Sequence, residues 1–134
     1  MNSIILLFKR FPLTIVTSLI ILYLTFFKPV GLDGVQMMEG FDKLVHLVMY
    51  FTLCAVFWYE SLKITLKPKF LYMALFSVVL PIVFSGLMEY LQYVLTSYRT
   101  GDFEDFIFNA IGVVLALFFS LLVTKPIMKR RVRK

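Results

Sequence analysis

Apolar residues occur in long blocks along this chain, and charged or turn-forming residues separate the blocks. An α-helix rises about 1.5 Å per residue, so about 20 apolar residues cross the hydrocarbon core of a bilayer. Four blocks approach or exceed that length. We therefore predict four transmembrane helices, over approximately residues 11–27, 44–62, 70–95 and 103–124.

Composition supports lipid as the solvent of these blocks. The chain has 134 residues, of which 60% are hydrophobic and only 16% are charged, with a mean hydropathy of +0.88. A soluble domain of this length has too small an interior to bury so much apolar surface. The predicted fold class is therefore all-α, a polytopic membrane protein with its four helices in one bundle, and residues 1–134 form a single membrane domain.

Basic residues are distributed unequally between the two predicted membrane faces. Four spans place both termini on one face, which then carries 11 basic residues, against three on the other. The positive-inside rule puts both termini in the cytoplasm. Residues 125–134 hold six of the basic residues and no acid, and we interpret them as a cytoplasmic tail that meets anionic membrane lipids. No feature predicts a nucleic-acid partner.

Polar residues gather where three of the blocks reach the predicted outer face. Asp102, Asp105 and Asn109 are spaced three and four apart, so on a helix they share one face. The cytoplasmic half of the helices is nearly free of ionisable residues, and Glu60 is the exception. The outer layer contains Asp42, Lys43, His46, Tyr50, Glu89, Gln92, Arg99, Asp102, Asp105 and Asn109.

Glu89 decides how this layer is interpreted. A carboxylate in hydrocarbon costs at least about 2.5 kcal/mol, so Glu89 must face the bundle, be protonated or be paired. Its candidate partners are His46, Arg99 and Lys43. Ionisable residues inside a membrane indicate a functional site by default. The alternative is a structural clasp, in which Glu89, His46 and Asn109 hydrogen-bond the helices together.

If the outer layer is a functional site, its residues fall into two groups, those suited to binding a ligand and those suited to catalysis. Arg99 and Lys43 suit an anionic headgroup, because cationic side chains form charge-assisted hydrogen bonds with phosphate or carboxylate. Imidazole and carboxyl groups exchange protons, so we assign catalytic roles to Glu89, His46 and Asp105. The predicted ligand-binding residues are Arg99, Lys43, Asp42, Gln92, Asp102, Asn109 and Tyr50. An enzyme and a binding protein both fit these residues.

A divalent cation is a further interpretation of the same acids. One histidine among several carboxylates, here His46 with Asp42, Asp102 and Asp105, suits Mg²⁺, Mn²⁺ or Ca²⁺. Acids in the first turn of a helix are also favourable without any ligand. We therefore assign no metal ligand and no cofactor from the sequence. A channel or transporter is less favoured, because the polar residues stop halfway across the membrane.

The order and spacing of the polar residues resemble a known family. The three blocks read Asp42-Lys43-x-x-His46-x-x-x-Tyr50, Glu89-x-x-Gln92 and Arg99-x-Gly101-Asp102-x-x-Asp105-x-x-x-Asn109-x-x-Gly112. Together they resemble the VanZ-like family of small bacterial membrane proteins over roughly residues 40–118. The founding member of that family is associated with low-level resistance to the glycopeptide antibiotic teicoplanin.

The resemblance implies a multi-pass protein of the bacterial inner (cytoplasmic) membrane that acts on the cell envelope. The expected function is to bind or process a lipid-linked ligand at the extracytoplasmic face, with a link to glycopeptide resistance. Expected partners are membrane lipids and a lipid-linked cell-wall precursor or the glycopeptide itself, and a homo-oligomer is compatible with the sequence. The alternative expectation is a non-catalytic protein that is structural or binds a protein partner.

Overall fold

The computed structural model describes residues 3–27, 40–96 and 103–133, and this part of the chain is helical with no strand. The all-α prediction is therefore confirmed. Two π-helical turns, Leu75–Val79 and Ser120–Thr124, interrupt otherwise continuous helices. The helices are α1 (Ser3–Arg10), α2 (Pro12–Phe26), α3 (Phe41–Ile64), α4 (Phe70–Ala74), α5 (Leu80–Leu95), α6 (Phe103–Phe119) and α7 (Lys125–Val132).

Three helical segments of the described chain are long and apolar enough to cross a membrane. They are Phe41–Ile64, Leu71–Leu95 and Phe103–Val132. The α1–α2 pair meets the same test only when taken together, and the two helices are bent by 88°. α2 alone has 15 residues, or about 22 Å. The described residues thus contain three helices that meet the length and composition of a membrane span, or four if the bent pair counts as one, and cytoplasmic termini stay a prediction.

The start of α2 is capped by a carboxylate from another helix. Pro12 occupies the first turn of α2, where its missing N–H leaves no donor unsatisfied. Glu60 of α3 accepts hydrogen bonds from the Leu13 backbone N–H at 2.8 Å and from the Thr14 backbone N–H at 2.9 Å. The Thr14 hydroxyl donates to the same carboxylate at 2.7 Å. Glu60, the exception in the polar pattern, therefore joins α3 to the positive end of the α2 dipole.

We expect this interhelical cap to stabilise the fold measurably. Thr14→Ala removes one hydrogen bond to a buried carboxylate and should lower the free energy of unfolding by about 1–3 kcal/mol. Thr17→Ala is the matched control, because the Thr17 hydroxyl donates only within α2, to the Leu13 carbonyl. Thermal unfolding in detergent compares the two. Equal melting temperatures for both variants would contradict a stabilising cap.

A π-helical turn lies just ahead of the proline in the α4–α5 helix. Pro81 has no N–H, so the backbone ladder loses a donor at this point. The π turn Leu75–Val79 places the irregularity in the preceding turn. The Ser77 hydroxyl donates to the Met73 carbonyl and so supplies a partner for a backbone acceptor there.

The centre of the bundle is the parallel pair α3 and α6, which form the most extensive helix contact in the described chain. α6 turns small or short side chains towards α3, as is common where membrane helices approach closely. Gly112 makes this approach possible, because a Cβ there would run into the backbone of α3 at the Leu47 carbonyl. The main core cluster around this pair contains Ile21, Tyr50, Leu53, Cys54, Val113 and Ala116.

Candidate functional site

Buried polar side chains from three helices meet at one end of the bundle. α3 and α6 begin at this end and α5 ends there, so residues distant in sequence lie at similar depth. His46, Glu89 and Asn109 each lie about one and a half turns inside their helices, or roughly 9 Å. These three and Asp105, which together we call the His46 cluster, are each at most 9% exposed.

Asn109 connects the other members of the His46 cluster. Its amide nitrogen donates to Glu89 Oε1 at 3.3 Å, and its amide oxygen lies 3.1 Å from His46 Nδ1. The Asn109 nitrogen donates to Glu89, so the amide oxygen faces His46 and can only accept a hydrogen bond from it. It follows that His46 Nδ1 carries the proton. We assign the tautomer from this network.

The second ring nitrogen of His46 points towards a carboxylate. Nε2 lies 3.5 Å from Asp105 Oδ2 and makes no hydrogen bond to the described residues. On the other side of the ring, Nδ1 lies 3.6 Å from Glu89 Oε1. Asp42 precedes His46 by one turn of α3, and one ligand atom each of Asp42, His46 and Asp105 lies within 4.8 Å of the others. Carboxylates of α3, α5 and α6 thus surround a single imidazole.

Two helix N-termini favour negative charge at this end of the bundle. Asp42 is in the first turn of α3, and Glu104 and Asp105 are in the first turn of α6. Each acid at such a position is typically worth 0.3–1 kcal/mol through the helix dipole. Lys43 forms an ion pair with Glu104, and both side chains are substantially exposed. Such a surface pair contributes less than about 1 kcal/mol.

A comparison with protein families assigns the chain. The family model described as VanZ/LLP1 matches residues 3–124, nearly the whole sequence. The chain belongs to the VanZ/LLP1 family. This confirms the resemblance that the three polar blocks indicate. No curated protein and no solved structure matches the chain significantly.

In this VanZ/LLP1 protein, the structure brings some of the predicted site residues together and places others elsewhere. Gln92 donates from Nε2 to the Thr25 carbonyl at 3.0 Å and so joins α5 to α2. Tyr50 is buried in the main core cluster. Lys43, a candidate partner of Glu89, pairs with Glu104. Arg99 and Asp102 lie outside the described residues.

Sequence reasoning missed two contacts at this end of the bundle, both outside the His46 cluster. Glu104 precedes Asp105, and its place in an acidic first turn, beside a predicted layer that contains Lys43, is a signal that could have identified it. Thr25 takes part through its backbone carbonyl, which the Gln92 amide reaches. No side-chain pattern indicates such a contact.

Proposed function

We propose that the His46 cluster is the ligand site of this VanZ/LLP1 membrane protein and that it binds or processes the polar head of a lipid-linked cell-envelope ligand. The observation that carries the proposal is the burial of Glu89, His46 and Asp105 together inside predicted membrane spans. Burying several ionisable groups in a bilayer is costly, and such groups commonly mark sites of function.

The distribution of charge supports an extracytoplasmic position for the site. Within the described chain, the opposite end of the bundle carries Lys9, Arg10, Lys63, Lys67, Lys69, Lys125, Lys129, Arg130, Arg131 and Arg133. The site end carries Lys43. The positive-inside rule favours the strongly basic end as cytoplasmic, which leaves the His46 cluster facing the outside of the cell.

The surface near the cluster suits a ligand with a lipid chain. Leu87 and Tyr90 of α5 and Ile107 and Ile111 of α6 are large, exposed and within two turns of the buried polar residues. A lipid-linked molecule whose head reaches the cluster would keep its tail beside these helices, in the hydrocarbon of the bilayer. A protein that binds a lipid-linked wall precursor would change its presentation to glycopeptides, which would link the family to teicoplanin resistance.

The cluster also has features of a proton-transfer site. Asn109 holds His46 in one tautomer, and Asp105 lies on the side of the free ring nitrogen. An imidazole oriented in this way is suited to act as a general base or acid, with Glu89 as a second proton-exchanging group. A reaction on the polar head of the ligand is therefore part of the proposal, with His46, Glu89 and Asp105 as its residues.

A structural clasp is the second candidate, and a specific observation favours it. The hydrogen bonds of Asn109 join α6 to both α3 and α5, so the cluster holds three helices together. Interhelical hydrogen bonds in membranes average about 0.6 kcal/mol and reach about 1.7 kcal/mol. In this interpretation, the polar residues serve stability, and variants should lose function only as far as they lose the fold.

Native mass spectrometry in mild detergent separates the two candidates. We expect the wild-type protein to carry a co-purified lipid-linked adduct that Glu89→Gln and Asp105→Asn lose while their melting temperatures stay within a few degrees of wild type. Glu104→Gln is the matched control, because it removes an exposed carboxylate next to Asp105 and should keep the adduct. A wild type without an adduct, or an adduct retained by all variants, would overturn the ligand site.

A further inference from the structure

We propose that Asp42, His46 and Asp105 bind a divalent transition-metal cation, for which Mn²⁺ is a suitable spectroscopic probe. Two carboxylates and one imidazole form a mixed oxygen and nitrogen ligand set, which Mn²⁺ accepts more readily than the harder Mg²⁺ or Ca²⁺. The inference goes beyond the proposed function and does not depend on it, because cation binding is measured with no lipid ligand present.

The positions of the three side chains suit a shared ion. Asp42 and His46 are four residues apart on α3, so they share one face, and Asp105 approaches from α6. Their ligand atoms lie within 4.8 Å of one another. Ligands on opposite sides of an ion with bonds of about 2.2 Å are about 4.4 Å apart, so the observed spacing is close to that of ligands around one ion.

His46 supplies the independent observation that points to a ligand. Its side chain is only 3% exposed, and its Nδ1 is engaged with the Asn109 oxygen. Nε2 therefore carries a lone pair, yet it faces the Asp105 carboxylate at 3.5 Å. Two acceptors facing each other repel, and a cation between them would bind both. Metal-binding histidines commonly donate their other ring N–H to an oxygen acceptor, as His46 does to Asn109.

A protonated imidazole is the competing account of the same contact. An imidazolium facing a carboxylate would form a charge-assisted hydrogen bond of about 2.7–2.9 Å. The observed separation of 3.5 Å is longer and does not meet hydrogen-bond geometry. It leaves room for an ion to draw both groups inwards. An ion held there would also give an acidic site the positive charge that an anionic head requires.

Electron paramagnetic resonance of added Mn²⁺ tests the proposal on chelator-treated, detergent-purified protein. We expect the wild type to bind about one ion per chain, seen as loss of the free-ion signal, with at least a tenfold weaker affinity in Asp105→Asn and His46→Gln. Glu104→Gln serves as the control, since it removes a neighbouring exposed carboxylate, and should bind as the wild type does.

Pulsed electron paramagnetic resonance identifies the side chain that binds the ion, and its result on the wild type does not depend on whether a variant folds. We expect a nitrogen coupling to the bound Mn²⁺ in the wild type and its loss in His46→Gln. A wild type that binds no Mn²⁺ at millimolar concentration, or binds it without a nitrogen coupling, overturns the proposal even if Asp105→Asn fails to fold. If mass spectrometry shows the lipid adduct but the protein binds no Mn²⁺, the proposed lipid site is supported and the proposed cation site is overturned.

Discussion

Gly112→Ala is expected to cost at least about 3 kcal/mol of unfolding free energy, or to prevent folding altogether. A Cβ at this position would overlap the Leu47 carbonyl and approach the Phe51 backbone nitrogen at 3.0 Å. Overpacking against side chains typically costs 1–3 kcal/mol, and here the obstacle is the helix backbone, which cannot rotate away. α3 and α6 would have to separate, and their contact forms the centre of the bundle.

Gly86→Ala is the matched control for this substitution. A Cβ at residue 86 would meet the ring of Phe106 at 3.4 Å, which is ordinary contact with a side chain that can adjust. Alanine also has a higher helix propensity than glycine by about 0.8–1.0 kcal/mol. We expect Gly86→Ala to melt close to the wild type. Gly112→Ala with the same melting temperature would show that the helices are not held at this distance.

Asn109→Leu is expected to have the second large effect, on both stability and the site. The change removes two interhelical hydrogen bonds from a side chain that is 1% exposed. At up to about 1.7 kcal/mol for each bond in a membrane, the loss is about 1–3 kcal/mol. It also leaves His46 without the acceptor that selects its tautomer, so we expect the nitrogen coupling to bound Mn²⁺ to weaken or vanish.

Gln92→Leu separates these two consequences. It too replaces a buried amide that joins two helices, because Gln92 hydrogen-bonds the Thr25 carbonyl. Gln92 makes one such bond where Asn109 makes two, so its loss of stability should be about half that of Asn109→Leu, whereas the environment of His46 should be unchanged. If both variants bind Mn²⁺ with the same nitrogen coupling, Asn109 does not orient His46.

The hydrophobic pattern alone was sufficient to predict a helical membrane protein, because a long apolar segment in a bilayer must satisfy its own backbone hydrogen bonds, which an α-helix does. It could not predict the 88° bend between α1 and α2. The bend falls at Phe11–Pro12, within a largely apolar stretch whose proline equally fits the first turn of a straight helix. The role of Glu60 was hidden for another reason, since its partner Thr14 is 46 residues away in sequence.

The candidate site shows the same division between local and tertiary information. Helical spacing predicts that Asp105 and Asn109 share a face, and the chain places both in the His46 cluster. Spacing cannot show that Asn109 stands between Glu89 and His46, because that depends on how α3, α5 and α6 pack. Spacing also could not show that Gln92 and Glu89 have different partners. The two are only three residues apart on α5, yet Gln92 contacts α2 and Glu89 contacts α6.

The central claim is that the His46 cluster binds a ligand rather than only joining helices, and ligand-dependent melting tests it most directly. The melting temperature of the purified protein is measured in the presence of a lipid-linked cell-wall precursor. It is compared with the melting temperature in the presence of the same polyprenyl chain without its polar head. If the cluster is a ligand site, the precursor with its polar head should stabilise the protein by about 2.7 kcal/mol when its concentration is 100 times the dissociation constant. This stabilisation should be lost in Glu89→Gln. Equal melting with both lipids, or an unchanged shift in Glu89→Gln, would contradict the claim.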